Sequence, residues 1–226
     1  MAFEGFSAGT LEFMRDLAEH NDRSWFAENR ERYERDLLGP EREFVDAIGE
    51  AFSAVDPRVQ AVPAIDRSIF RINRDTRFSR DKSPYKDYSD LFFWIGADRK
   101  SAPGYFMRIV PEAVWIGCGQ HSLGPEQLAR LRAAIVAPAS GVEFERLLGD
   151  LAADGYEFAE PSLARVPAGF SKDAPRAELL RLTAVHAVRV YSPPPAEFFG
   201  PAFVDWSMEH FARVRALTDW LAEHVG

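Results

Sequence analysis

Tyr105-Phe106-Met107-Arg108-Ile109-Val110-Pro111-Glu112-Ala113-Val114-Trp115-Ile116 decides the fold class. Two runs rich in aromatic and β-branched residues flank Pro111-Glu112. Proline has no backbone N–H to give to a ladder, so the dipeptide reads as a turn and the two runs as an antiparallel hairpin. Gly117 and Gly119 then mark the end of the second strand. Upstream, Ser68-Ile69-Phe70-Arg71-Ile72 and Leu91-Phe92-Phe93-Trp94-Ile95 read as further strands. Downstream, Ala184 to Tyr191 reads as another, followed by the stiff connector Ser192-Pro193-Pro194-Pro195.

Helical spacing surrounds this strand-rich middle. Thr10 is read as the cap of a helix carrying Leu11, Phe13, Met14 and Leu17 on one face. Ser24 is read as the cap of a second, with Phe26, Tyr33 and Leu37 as its buried stripe and alternating Glu and Arg on its wet faces. Gly39 stops that helix and Pro40 starts a third, which carries Phe44, Val45, Ile48 and Phe52. After the hairpin, Pro125-Glu126 opens a helix bearing Leu128, Leu131, Ile135 and Val136. Phe144 to Leu151 is another, Glu160 to Arg176 is loop, and Ala202 to His224 is a final helix burying Phe203, Trp206, Phe211, Val214, Leu217 and Leu221. The expectation is an α+β fold, with a mainly antiparallel central sheet flanked by N-terminal and C-terminal helices. A single domain over 1–226 is expected, helical over about 8–54, strand-rich over about 66–119 and mixed over about 125–226.

Composition narrows the function. The 226 residues are 46% hydrophobic and carry a net charge of −8, which argues against nucleic-acid binding through the overall field. Cys118 is the single cysteine, so an internal disulfide and cysteine-based zinc sites are excluded. The five histidines (His20, His121, His186, His210, His224) show no metal-ligand spacing, and neither a metal nor a cofactor is expected. Met1-Ala2-Phe3-Glu4 lacks the pattern of a secretory signal and no apolar run is long enough to cross a bilayer, so a soluble cytoplasmic protein is expected.

One segment stands apart from this acidic background. Arg67 to Lys86 holds seven basic and two acidic side chains, a net of +5, in a chain whose total is −8, so the remainder carries −13. The cations are Arg67, Arg71, Arg74, Arg77, Arg80, Lys82 and Lys86; the acids are Asp75 and Asp81. If Arg67 to Arg74 is a strand, alternation puts Phe70 and Ile72 toward the core and Arg71 away from it. Lysine is scarce, four residues among 27 basic ones, yet two of the four are Lys82 and Lys86. An ammonium is a compact point charge whose pKa responds to burial, unlike a guanidinium.

These residue types point to an anion site. Arg71, Arg74, Arg77, Lys82 and Lys86 would converge on a phosphate or carboxylate, with Ser79 and Tyr85 donating hydrogen bonds. Asp75 would orient an arginine or serve as general base, and Lys82 and Lys86 would stabilise developing charge; Asp75 and Lys82 are the catalytic candidates. The expected partner is a small anionic ligand, bound or enzymatically turned over. Two alternatives stand beside it: a module docking an acidic protein or a nucleic-acid strand, and a structural network in which the cations neutralise acids of the helices. Ser79-Arg80-Asp81-Lys82 matches Ser-x-x-Lys but lacks the companion motifs of serine acylases. Asn21-Asp22-Arg23-Ser24-Trp25 reads as helix capping with a core tryptophan; the other reading puts Asn21, Asp22 and Arg23 in the same pocket with Trp25 as a stacking wall.

Arg71-Ile72-Asn73-Arg74-Asp75-Thr76-Arg77-Phe78-Ser79-Arg80-Asp81-Lys82-Ser83-Pro84-Tyr85-Lys86 resembles the signature of a bacterial and fungal family, domain of unknown function 2461. The resemblance extends to Phe3-Glu4-Gly5-Phe6, Asn21 to Phe26, Arg30 to Tyr33, Pro167-Ala168-Gly169-Phe170 and Glu178-Leu179-Leu180. It departs from the family pattern at Ala168, where a basic residue is usual, and near Thr183, where a lysine is usual. Membership implies a chain of this length standing alone and brings no established activity with it.

Overall fold

The computed structural model describes residues 2–226. Its strands are β1 (Val59–Gln60), β2 (Ser89–Ile95), β3 (Gly104–Val110), β4 (Ala113–Gln120), β5 (Glu157–Phe158) and β6 (Val185–Tyr191). They form a six-stranded antiparallel sheet in the order β1-β2-β3-β4-β6-β5, and the fold is α+β. The β3–β4 hairpin turns at Pro111-Glu112 as its sequence requires. Gly117 and Gly119 do not end β4, which continues to Gln120. They let the neighbouring strand pass: a Cβ on Gly117 would lie 1.9 Å from the Ala187 carbonyl oxygen of β6.

The chain groups into two compact units. The first runs to Phe93 and adds Phe106–Ile116 and Val190–Glu209; the second comprises Trp94–Tyr105, Gly117–Arg189 and His210–Gly226. Among the described residues no helix is long and apolar enough to cross a membrane.

In the first unit, α1 (Ala8–Glu19) begins two residues before Thr10, which sits inside the first turn and accepts from the Ser7 N–H at 3.2 Å. The cap of α2 (Arg23–Glu28) is Asp22, not Ser24: its carboxylate takes both the Ser24 and Trp25 N–H groups. The expected break at Gly39-Pro40 is absent. Instead α3 (Arg30–Tyr33) passes through a π turn over Glu34–Leu38 into α4 (Gly39–Val55). The wider turn is how a helix runs through a proline: Gly39 N–H reaches back to the Glu34 carbonyl. In an α-helix the Asp36 carbonyl would receive residue 40, and Pro40 has nothing to give it. The buried Thr10 hydroxyl fills that place, donating to Asp36 O at 2.6 Å. One hydrogen bond thus joins α1 to the π turn at the site of the irregularity.

The core of this unit is aromatic. Phe6 stacks on Phe198 at 4.9 Å, and Phe3 meets Phe44 edge-on at 5.2 Å. Gly5 makes this approach possible. It adopts φ +108°, and a Cβ there would lie 2.4 Å from Gly200 N. On the sheet, Phe44 and Phe52 of α4 pack on Phe93 of β2.

In the second unit, Tyr105 of β3 packs on Phe211 of α7 (Phe203–His224) at 5.2 Å. Phe144 of α6 (Pro138–Ala153) stacks on Trp220 at 4.3 Å, while the Trp220 indole N–H donates to Ser140 O at 3.1 Å. Ahead of α6 runs α5 (Pro125–Val136), whose Arg130 guanidinium donates to the Val225 carbonyl at 2.8 Å. Cys118 is fully buried, and burial pushes its thiol up to about 12, so the residue is packing.

Glu41 of α4 puts a carboxyl group into the first core. It is buried, its carboxyl is hydrogen-bonded to the Ser89 hydroxyl, and desolvation pushes its pKa up to about 8. The folded state therefore holds a proton that the unfolded chain releases near pH 4 to 5. Stability from this group is full below that range and is lost as pH rises through about 8. Glu41→Gln keeps a partner for Ser89 without the titration. Urea melts from pH 5 to pH 8 should show the variant gaining on the wild type by up to roughly 1 kcal/mol per pH unit.

Candidate functional site

The basic segment is not a regular strand. Arg74 N–H donates to Pro84 O at 2.9 Å and Lys86 N–H to Ile72 O at 2.8 Å, with Asn73 bridged to Tyr85. Farther from the loop, Phe70 N–H donates to Asp90 O and Phe92 N–H to Ser68 O. Between these pairs the 84–92 side carries two extra residues, so the ladder is interrupted, and only isolated bridges form. The interruption also resets the faces: Ile69 and Ile72 are buried, Ser68 is buried with its Oγ accepting from Val62 N–H, and Phe70 is half-exposed.

Residues 75–83 close a loop on this neck, and its two aspartates make its turns. Asp75 accepts from Arg77 N–H at 3.2 Å and Asp81 from Ser83 N–H at 2.9 Å, the pattern of a side chain imitating a backbone turn. Each also pairs with an arginine: Asp75 with the Arg77 guanidinium at 2.6 Å, Asp81 with Arg74. Lys82 Nζ donates across the loop to Thr76 O at 2.8 Å.

Asn21 clamps the loop neck to the helices. Its Nδ2 donates to Tyr85 O at 3.0 Å and its Oδ1 accepts from Tyr85 N–H at 3.0 Å. The amide thus takes both backbone groups of one residue, as a partner strand would. Tyr85 is buried, its ring stacked on Phe26 at 4.3 Å.

Between helix start and loop lies a cleft of about 580 Å³. One wall is Asn21, Asp22 and Arg23; the other is Asn73, Arg74 and Thr76, with Lys82, Ser83 and Pro84. Arg23 makes no ion pair or hydrogen bond with its side chain among the described residues, and Lys82 reaches only a carbonyl. The two carboxylates at the cleft are committed. Asp22 caps α2 and Asp81 holds Arg74 and Ser83, and hydrogen bonds lower the pKa of both. Arg23, Arg74 and Lys82 outnumber these two ionised carboxylates three to two.

Of the residues singled out from sequence, Arg74 and Lys82 line this cleft, and Tyr85 anchors it from the core. Arg77 is 77% exposed and pairs with Asp75, whose pKa the arginine lowers to about 2. Asp75 therefore orients an arginine and is a feeble base at neutral pH. Ser79 lies in the loop outside the lining, and Arg71 pairs with Asp66 at 2.9 Å. Lys86 belongs to a second cluster, its Nζ over the rings of Phe70 and Tyr88 at 5.4 and 5.5 Å. There Arg108 lies 3.9 Å from the Tyr88 ring and binds both oxygens of Asp90, and burial lowers the Lys86 pKa. The cations thus divide between two places. Asn73, Thr76 and Ser83 line the cleft with no charge to mark them in the sequence; Asn21-Asp22-Arg23 both caps α2 and lines the cleft, while Trp25 packs on Phe13 and His20 and is not in the lining.

Residues 9–220 match the family described as conserved hypothetical protein (DUF2461). The chain belongs to that family. No curated protein and no solved structure matches it. In this DUF2461 chain the basic segment and the Asn21 turn, 64 residues apart at the Asn21–Tyr85 bonds, are one structural feature.

The two kinds of contact differ in weight. Asn21→Ala strands a half-buried peptide group and should cost roughly 2–3 kcal/mol in a chemical melt. Arg77→Ala removes an exposed pair and should move the melting temperature by no more than about 2 °C.

Proposed function

We propose that the cleft binds a small anion, a phosphate or a carboxylate. The observation that carries this reading is the pair Arg23 and Lys82. Both face the cleft with no carboxylate partner among the described residues, beside an Arg74 already fixed in place by Asp81. Cations held without a matching acid, in an otherwise acidic protein, are matched by a ligand anion. The amides of Asn21 and Asn73 and the hydroxyls of Thr76 and Ser83 add neutral hydrogen-bonding groups around the charge.

The structural alternative draws less support. The partners of Arg71, Arg74 and Arg77 are Asp66, Asp81 and Asp75, residues of the same stretch of chain and not of the helices. All three acids are more than half exposed, and exposed pairs contribute little to stability. If the ligand is also turned over, Lys82 is the group placed to meet charge developing on a phosphoryl or acyl oxygen.

Thermal unfolding in the presence of inorganic phosphate and of simple carboxylates tests this. An anion at about 100 times its dissociation constant should raise the melting temperature by about 5–10 °C. Lys82→Ala and Arg23→Ala should melt near the wild type without ligand and lose at least about tenfold in affinity. A wild type that no anion stabilises, or an undiminished shift in both variants, would refute the reading.

A further inference from the structure

Phe78 is 95% exposed, far more than any other large apolar side chain among the described residues, of which the next is Val142 at 56%. It stands two residues past Thr76 and four before Lys82, and both of those line the cleft. Its immediate neighbours are polar: Arg77 before it, Ser79 and Arg80 after it. The Arg77 guanidinium lies 5.9 Å from the ring centroid, pinned there by Asp75. A large ring held in water forgoes the burial that most phenylalanines obtain. A bilayer or an apolar protein groove would call for several such side chains, and between Arg74 and Pro84 there is one. A single flat ring flanked by cations fits a ligand that is itself one flat ring joined to an anion.

We propose that the ligand of the cleft is a nucleotide, its phosphate held by Arg23, Arg74 and Lys82 and its base stacked on Phe78. The proposal rests on the anion reading above and names its substrate class. The polar cleft supplies no aromatic surface of its own, since none of its lining residues carries a ring for stacking. The stacking surface is therefore outside it, at the tip of the loop whose two ends form its wall. Thr76, two residues before Phe78 and part of the cleft lining, is a group available to a ribose hydroxyl. Stacking on one ring is tolerant of base identity, so the site reads a nucleotide as a class. The same chemistry is offered by a free mononucleotide and by the end of a single strand.

Calorimetric titration of the full chain with inorganic phosphate, ribose 5-phosphate, adenosine 5′-monophosphate and a 5′-phosphorylated pentanucleotide decides the matter. The mononucleotide should bind about tenfold or more tighter than ribose 5-phosphate. Phe78→Ala should erase that difference and leave the ribose 5-phosphate affinity unchanged, and Phe78→Trp should restore it, with the new indole quenched on binding. The exposed position makes both variants compatible with the fold. A pentanucleotide that outbinds the mononucleotide assigns the site to strand ends; equal affinities assign it to free nucleotides. Ribose 5-phosphate and the mononucleotide binding alike, or a preference that survives Phe78→Ala, would overturn the nucleotide inference while leaving the anion reading standing. Failure of every phosphate compound to bind would overturn the nucleotide inference and the phosphate form of the anion reading together, leaving only a carboxylate for the melts above to find.

Discussion

One side-chain amide holds the candidate site together. Asn21 presents a donor and an acceptor to the two backbone groups of Tyr85, and so joins the turn between α1 and α2 to the neck of the basic loop. The stacking of Tyr85 on Phe26 buries the junction from below. Without the amide, the two walls of the cleft would belong to unrelated pieces of chain. With it, Arg23 on one wall and Arg74 and Lys82 on the other stay at opposite sides of one opening. The irregular ladder of the segment follows from the same constraint, since residues 72–74 must pair with 84–86 while residues 68–70 pair with 90–92.

The acidic residues of the segment are as much a part of this as the basic ones. Asp75 and Asp81 each accept a backbone N–H two residues on, and each takes an arginine. They spend their charge inside the loop. Lys82 and Arg23 are left without a carboxylate partner among the described residues, and it is on this remainder, more than on the +5 of the whole segment, that the anion proposal rests. The loop is closed by local bonds and exposed on its outside, where Phe78 stands in water.

Much of the fold was legible in the chain because its cues are local. The Pro111-Glu112 turn, the runs around it, and the apolar spacing of Phe44, Val45, Ile48 and Phe52 each carry their own instruction. The readings that failed depended on partners remote in sequence. Gly39-Pro40 looks like a stop until Thr10 is seen to satisfy Asp36, 26 residues away. Ser68 to Ile72 looks like a strand until the two extra residues opposite it are known. The site was half legible. Charge marked Arg74 and Lys82, but nothing in the spacing shows that Lys86 turns to Tyr88 and Arg108, or that Arg23 faces Arg74. The Asp-x-Arg and Asp-x-Ser spacings at Asp75 and Asp81 are a readable sign of turn formation, and the turn at Asp75 brings its carboxylate against the Arg77 guanidinium.

The central claim is that Asn21–Arg23 and Asn73–Pro84 form one anion cleft. Backbone amide chemical shifts of isotopically labelled protein, followed during titration with inorganic phosphate, test it most directly. The account predicts saturable shifts that share one dissociation constant and are confined to residues 21–23 and 73–83. Saturable shifts centred elsewhere, or on one of these segments without the other, would contradict it.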